Sequence, residues 1–119
     1  MKENILIEKS LNFAARIVKL HKYLTTERHE GVISKQIIRS ATSIGANANE
    51  AVYGSSKADF IAKIHISLKE TAETEYWLRL LMLSEYLSDI DGNSLLNDCL
   101  EIKRILISTL NTSKTNNNG

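Results

Sequence analysis

Apolar residues recur at intervals of three and four along nearly the whole chain, the period of a helix with one buried face. In the first stretch, from about Ile5 to Glu27, Leu6, Phe13, Ile17, Leu20 and Leu24 mark that face, with Leu11, Ala14 and Val18 beside it. Gly31 separates it from a second helix, expected from about Val32 to Tyr53, with core positions at Ile33, Ile37, Ile44, Ala48 and Ala51. Gly54 stands just past the end of that helix, where a left-handed backbone is wanted. Ser56 with Asp59 then makes a capping-box-like start for a third helix, whose core face is Phe60, Ile64, Leu68, Thr71 and Leu78. It should continue to about Leu87, a length on the order of 45 Å at the standard helical rise. "DIDGNS" reads as a turn. A fourth helix follows from about Ser94 to Leu110, with Leu96, Cys99, Lys103, Leu106 and Leu110 in line and Ile102 beside it. Residues 112–119, "TSKTNNNG", read as a disordered polar tail. Short connections make neighbouring helices antiparallel. The expected fold is all-α, an antiparallel up-and-down four-helix bundle formed by a single domain over residues 1–111.

One polar line interrupts the pattern. Gln36, Ser40, Ser43, Asn47 and Glu50 fall within about a quarter of the second helix's circumference, with Arg39 at the edge of that arc. The line borders the core face, so its groups are half-buried and need partners. On the third helix Lys63, Ser67, Glu70 and Thr74 form a matching line. A tight antiparallel turn at Gly54 and Ser55 sets opposite each other positions whose numbers sum to about 109. That register places Arg39 near Glu70, Ser43 near Ser67, and Asn47 and Glu50 near Lys63. Breaking the Arg39–Glu70 pair costs on the order of 3 kcal/mol if it is mostly buried, against below about 1 if it is exposed. The stretch reads as a structural seam, with a ligand site as the alternative.

Two further features of the third helix stand out. Glu75 lies in its apolar face, where a carboxylate is costly unless paired, and Arg79 or Arg39 is the expected partner of this buried acid. From Tyr76 onward, "YWLRLLMLSEYL" is apolar nearly all the way round. Either the fourth helix and the start of the first wrap it, or Trp77, Leu80, Leu81 and Leu83 include an oligomer interface, which is the expectation here.

Composition narrows the chemistry. The absence of proline, the five glycines and the 43% of apolar residues favour a few long helices. Fifteen Lys and Arg against fourteen Asp and Glu leave a charge of +1, too little for long-range attraction of a polyanion by one subunit. A nucleic-acid role therefore rests on local clustering, repeated by symmetry in an oligomer. Lys19, Lys22, Arg28 and Lys35 form such a cluster near the junction of the first two helices, where the acids are few apart from Glu27 and Glu30. A solvated charged face explains the cluster as well as a phosphate contact does. The histidines 21, 29 and 65 have no metal-ligand spacing, and neither a cysteine pair nor a glycine-rich phosphate loop is present. No catalytic, cofactor or metal site is expected. Cys99 sits in an apolar stripe as an inert thiol and, being alone, fits a reducing compartment. The start "MKENILIEKS" carries charges through its apolar part, unlike a signal peptide, and no apolar run is long enough for a membrane. A cytoplasmic protein without membrane contact is expected.

"QIIRSATSIGANANEA", followed by "SSKADFIAKIHISLKE" and "ETEYWLRLL", resembles the four-helix-bundle proteins of the 23S rRNA-intervening-sequence family. Arg39-Ser40, Ser43-Ile44, Asn47, Glu50, Ser56, Asp59-Phe60, Glu70 and Glu73 to Leu78 carry the resemblance, and "NANE" departs from it. The resemblance implies a bacterial protein with a left-handed up-and-down bundle and no established enzyme activity. It also implies likeness to a pentameric accessory protein of diversity-generating retroelements, which works with nucleic acid and a reverse transcriptase. The expected function is accordingly a non-enzymatic, ring-forming homo-oligomer, a pentamer by that likeness. It would bind RNA or a ribonucleoprotein through basic surface, with DNA and a nucleic-acid enzyme as further candidate partners. The alternative is a protein–protein scaffold without nucleic-acid affinity.

Overall fold

The computed structural model describes residues 2–54 and 56–118, with side chains described from Asn4 to Lys114 apart from Ser55. The described residues form four helices: α1 (Lys2–Thr26), α2 (Val32–Val52), α3 (Lys57–Leu83) and α4 (Asp89–Asn118). Contacts join α1 to α2, α2 to α3, α3 to α4 and α4 back to α1, so the helices occupy the corners of a square in chain order. The interior is filled by Phe13 and Ile17 of α1, Ile37 and Ile44 of α2, Ile64 and Leu78 of α3, and Ile102 and Leu106 of α4, none more than 1% exposed. Burying one such side chain contributes roughly 1.5–3 kcal/mol, which is what holds four amphipathic helices together.

Two connections end their helices with a left-handed residue, and neither residue is a glycine. His29 (φ 54°) follows α1, where the Glu30 N–H donates to the Leu24 carbonyl at 2.9 Å. Glu85 (φ 65°) follows α3, where the Leu87 N–H reaches the Leu81 carbonyl at 3.2 Å. At the α3 end the Tyr86 N–H also reaches the Leu81 carbonyl, five residues back, at 3.0 Å, and the Glu85 N–H reaches that of Met82 at 3.1 Å, the paired bonds that satisfy orphan carbonyls past a helix end. Gly54 does not have the left-handed backbone expected of it. It is needed for space, because a Cβ there would collide with the Asp59 carboxylate and lie 3.2 Å from the Ala51 carbonyl oxygen. Replacing Glu85 by glycine should therefore raise stability by roughly 0.5–1 kcal/mol, the relief of the side-chain clash less the entropy of a freer unfolded chain. Thermal melts read this directly, and a lower melting temperature would show that the Glu85 side chain contributes more than its backbone costs.

The largest departure from the sequence pattern is at residues 83–94. α3 ends at Leu83 rather than near Leu87, and "DIDGNS" is the first two turns of α4 rather than a turn between helices. Ser88 caps this helix by accepting from the Asp91 N–H at 3.2 Å, and Asp89 and Asp91 sit in the first turn, where the helix dipole favours acids. Gly92 is buried beneath Met82, whose side chain a Cβ at that position would strike. The Asp/Gly/Asn composition thus reflects a capped helix start and a close crossing. At the other end α4 continues through Asn118 in place of the expected disordered tail, and Gly119 lies outside the described residues.

Candidate functional site

The polar line of α2 packs against α3, and its buried part is a chain of hydroxyls. Ser40, Ser67, Thr71 and Thr74 are all buried. The Thr74 hydroxyl donates to Ser40 Oγ at 2.8 Å, Ser67 donates to the Ile44 carbonyl at 2.7 Å, and Thr71 donates to the Ser67 carbonyl at 2.8 Å. Among the described residues no buried side-chain nitrogen or oxygen lacks a partner. At the solvent edge Arg39 donates to Glu70 at 3.2 Å and also to Glu73, and Lys63 lies 3.5 Å from Glu50. The expected register therefore holds for Arg39 with Glu70 and for Glu50 with Lys63. Elsewhere along it Ser67 donates to the carbonyl of Ile44, next to Ser43, and Asn47 donates to the Ser43 carbonyl of its own helix at 2.8 Å. The buried groups of the line are all partnered within the fold. The line is a seam.

Of the two cases open for the Arg39–Glu70 pair, the exposed one holds at its arginine end. The Arg39 side chain is 50% exposed. A double-mutant cycle on Arg39 and Glu70 should accordingly give a coupling below about 1 kcal/mol, the range of solvent-screened pairs. Glu73, to which the polar-line register assigns no partner, is the better-held carboxylate. The Trp77 indole N–H donates to it at 2.9 Å, and that bond, opposed by burial and helped by Arg39, keeps its carboxyl below the usual range.

Glu75 is paired as expected with Arg79, at 3.0 Å, but its second partner is Lys103 of α4, at 3.2 Å, and not Arg39. Its side chain is 19% exposed. Burial pushes the carboxyl up, yet the bonds from Lys103 and Arg79 outweigh it, so the group sits below the ordinary carboxylate value of 4.5. A depressed folded value means that this stabilisation is complete above the unfolded value and is lost as acid titrates the folded group. Wild-type protein should lose more stability between pH 7 and pH 3 than Glu75→Gln does, as urea unfolding at both values would measure. Cys99 lies close by, its thiol directed at the Thr71 carbonyl at 3.5 Å and pushed up to about 12 by burial, which makes it a poor nucleophile.

The four proposed interface residues of α3 do not share one surface. Leu81 is wholly buried and belongs to the core, which corrects its assignment. Trp77 and Leu80 are half-buried, and Leu83 is 83% exposed. Tyr76, 60% exposed and set edge-on to Trp77 with ring centroids 5.0 Å apart, completes an outward strip with Leu80 and Leu83. The spacing 76, 80, 83 was available in the sequence as a helical stripe.

The basic cluster is also altered by its surroundings. Lys19, Lys22 and Lys35 are exposed, but Arg28 donates to the Tyr86 carbonyl at 3.0 Å and to the Glu85 carbonyl at 3.3 Å, and lies 5.1 Å over the Tyr86 ring. It ties the α1–α2 connection to the α3–α4 turn, bringing Glu85 to the end of the bundle that was expected to be poor in acids. Asp91 lines a cleft of about 420 Å³ together with Lys19. Glu30 is turned inward. Its Oε1 accepts from the Ser34 N–H at 2.8 Å, and its Oε2 accepts from Val32 and Ile33, each at 3.1 Å, so that it caps α2. Ser34 Oγ in turn lies 2.5 Å from His21 Nδ1.

The sequence profile of the 23S rRNA-intervening sequence proteins matches residues 2–108. The chain belongs to this family. A solved structure of a protein with unknown function from the S23 ribosomal protein family of Bacteroides thetaiotaomicron VPI-5482 is 53% identical, covering 93% of this chain and 99% of that one with a TM-score of 0.92. No curated protein matches. For this member of the family, the described residues hold no group of three or more potential metal ligands, and no helix is long and apolar enough to cross a membrane. What the arrangement offers is surface: an apolar strip on α3 and three exposed lysines at the α1–α2 end.

Proposed function

We propose that the protein is a non-catalytic scaffold that associates with copies of itself through the outer strip of α3 and presents basic side chains to RNA. The observation that carries the reading is Leu83, 83% exposed and two helical turns from Tyr76, itself 60% exposed, on the long helix α3. Large apolar side chains held outward in a row are the anchors from which subunit contacts are built. The likeness of the family to a pentameric accessory protein favours a closed ring. Light scattering at tens of micromolar tests this part, with an oligomer expected and a monomer overturning it.

The RNA reading rests on Lys19, Lys22 and Lys35, since Arg28 is engaged within the fold. With Glu85 and Asp91 at the same end, one subunit has little net attraction for phosphate, and repetition of the lysines around an assembly supplies it. Binding should be weak, tolerant of sequence and steeply dependent on salt. Titration with a structured RNA at low and moderate salt, repeated with Lys19 and Lys22 changed to Glu, is the test. Loss of affinity in the variant supports the contact. No binding at low salt favours a scaffold for proteins alone.

A further inference from the structure

A second unusual surface lies across the bundle from the α3 strip. Between α1 and α2 runs a cleft of about 410 Å³, walled by Ile7, Leu11 and Ala14 on one side and Thr42, Ala46 and Asn49 on the other. None of the residues lining it is charged, in a chain whose charged fraction is 24%. Its floor is low because Gly45 meets Ser10 there, so closely that an added Cβ would lie 3.2 Å from Ser10 Oγ. Leu11 stands at the rim, 67% exposed. A shallow, uncharged trough with apolar walls fits a row of apolar side chains from a helix.

We infer that this cleft receives the Tyr76–Leu80–Leu83 strip of a neighbouring copy. The inference rests on the proposed self-association and names the other half of the contact. Three properties match the two surfaces. The walls of the cleft span seven helical steps, from Ile7 to Ala14 and from Thr42 to Asn49, and the strip also spans seven, from Tyr76 to Leu83. Each is then about 10 Å long at the helical rise. The cleft has small residues where the strip has large ones, so ridge meets groove. Neither buries an unpaired charge on contact, because the neighbouring Glu73 and Arg79 of α3 are already held by Arg39 and Glu75.

A contact between two different surfaces of the same chain is head-to-tail. It propagates until the rotation closes a ring, unlike a twofold contact, which stops at a dimer. The cleft lies toward the end of the bundle where α1 begins, and the strip lies toward the end where α3 finishes. Neighbouring bundles are therefore staggered or inclined rather than level.

Two single substitutions at exposed positions test the contact: Leu83→Glu on the strip and Ala46→Glu on the wall of the cleft. Each should leave the melting curve unchanged while weakening self-association about thirtyfold or more. Mixed in equal amounts they should form a one-to-one heterodimer and nothing larger, because one variant keeps its cleft and the other its strip. Ultracentrifugation reads all three samples. Should Ala46→Glu fail to fold, Leu11→Glu at the exposed rim replaces it. If Ala46→Glu and Leu11→Glu assemble like wild type, the cleft is not the receptor, although association through α3 stands. A mixture that stays monomeric overturns the pairing of strip with cleft. A monomeric wild type removes the self-association on which both ideas rest.

Discussion

A Leu81→Glu protein is expected to be unfolded, while Leu83→Glu, two positions on, keeps the wild-type melting curve. The two leucines point in directions about 200° apart on the helix. Leu81 is 0% exposed and Leu83 is 83% exposed. Truncating a buried leucine to alanine already costs about 2–5 kcal/mol, and setting an unpaired carboxylate in the same space adds the cost of desolvating it. Domains of this kind have about 5–15 kcal/mol of stability in all. The position also matters for the chain reversal, because the Leu81 carbonyl accepts from the N–H groups of Tyr86 at 3.0 Å and Leu87 at 3.2 Å. Circular dichroism and urea unfolding separate the two variants. A folded Leu81→Glu protein would mean that the end of α3 is surface on every side, as the composition of "YWLRLLMLSEYL" taken alone allows.

That composition is why the interface was only partly legible. Where the sequence alternates apolar and polar residues, as in α1 and α2, the period identifies the buried face, and Phe13, Ile17, Ile37 and Ile44 are where the pattern puts them. Where most positions are apolar, the period offers several stripes, 76, 80, 83 among them, without saying which face is buried. Only the packing of α2 and α4 decides that Leu81 faces in and Leu83 faces out. The seam was legible because polar residues on an otherwise apolar face must find partners. Its exact pairs were not, since Ser67 can satisfy its hydroxyl on a backbone carbonyl that any residue type would offer.

The Glu75 pairing shows the same limit. Arg79 is one helical turn away and could be read from spacing, whereas Lys103 comes from another helix and depends on how α3 and α4 are set against each other. "DIDGNS" misled for a different reason. Aspartate, asparagine and serine favour turns and helix starts through the same short-range bonds to backbone N–H groups, and the glycine was conserving space under Met82. In the basic cluster, counting charges along the chain missed that Arg28 is spent on carbonyls and that Glu30 is hidden.

Glu30 carries the second large expected effect. Replacing it by alanine should cost about 2–3 kcal/mol, more than any surface acid would. The carboxylate is 7% exposed and accepts from three successive N–H groups at the start of α2. Gly31, the residue before the helix, has no side chain to take over, and no other side-chain cap is present. Loss of an N-cap costs typically about 1 kcal/mol, and hydrogen bonds to a charged acceptor contribute about 1.5–3. The Ser34 N–H matters most, because Ser34 is fully buried and water cannot replace the lost oxygen. Glu30→Gln keeps one acceptor oxygen and should recover part of the loss, giving an intermediate stability. Urea unfolding of the three proteins measures the series. A loss below about 0.5 kcal/mol in the alanine variant, the size of an ordinary surface change, would mean that water reaches these N–H groups and that the inward turn of Glu30 is incidental.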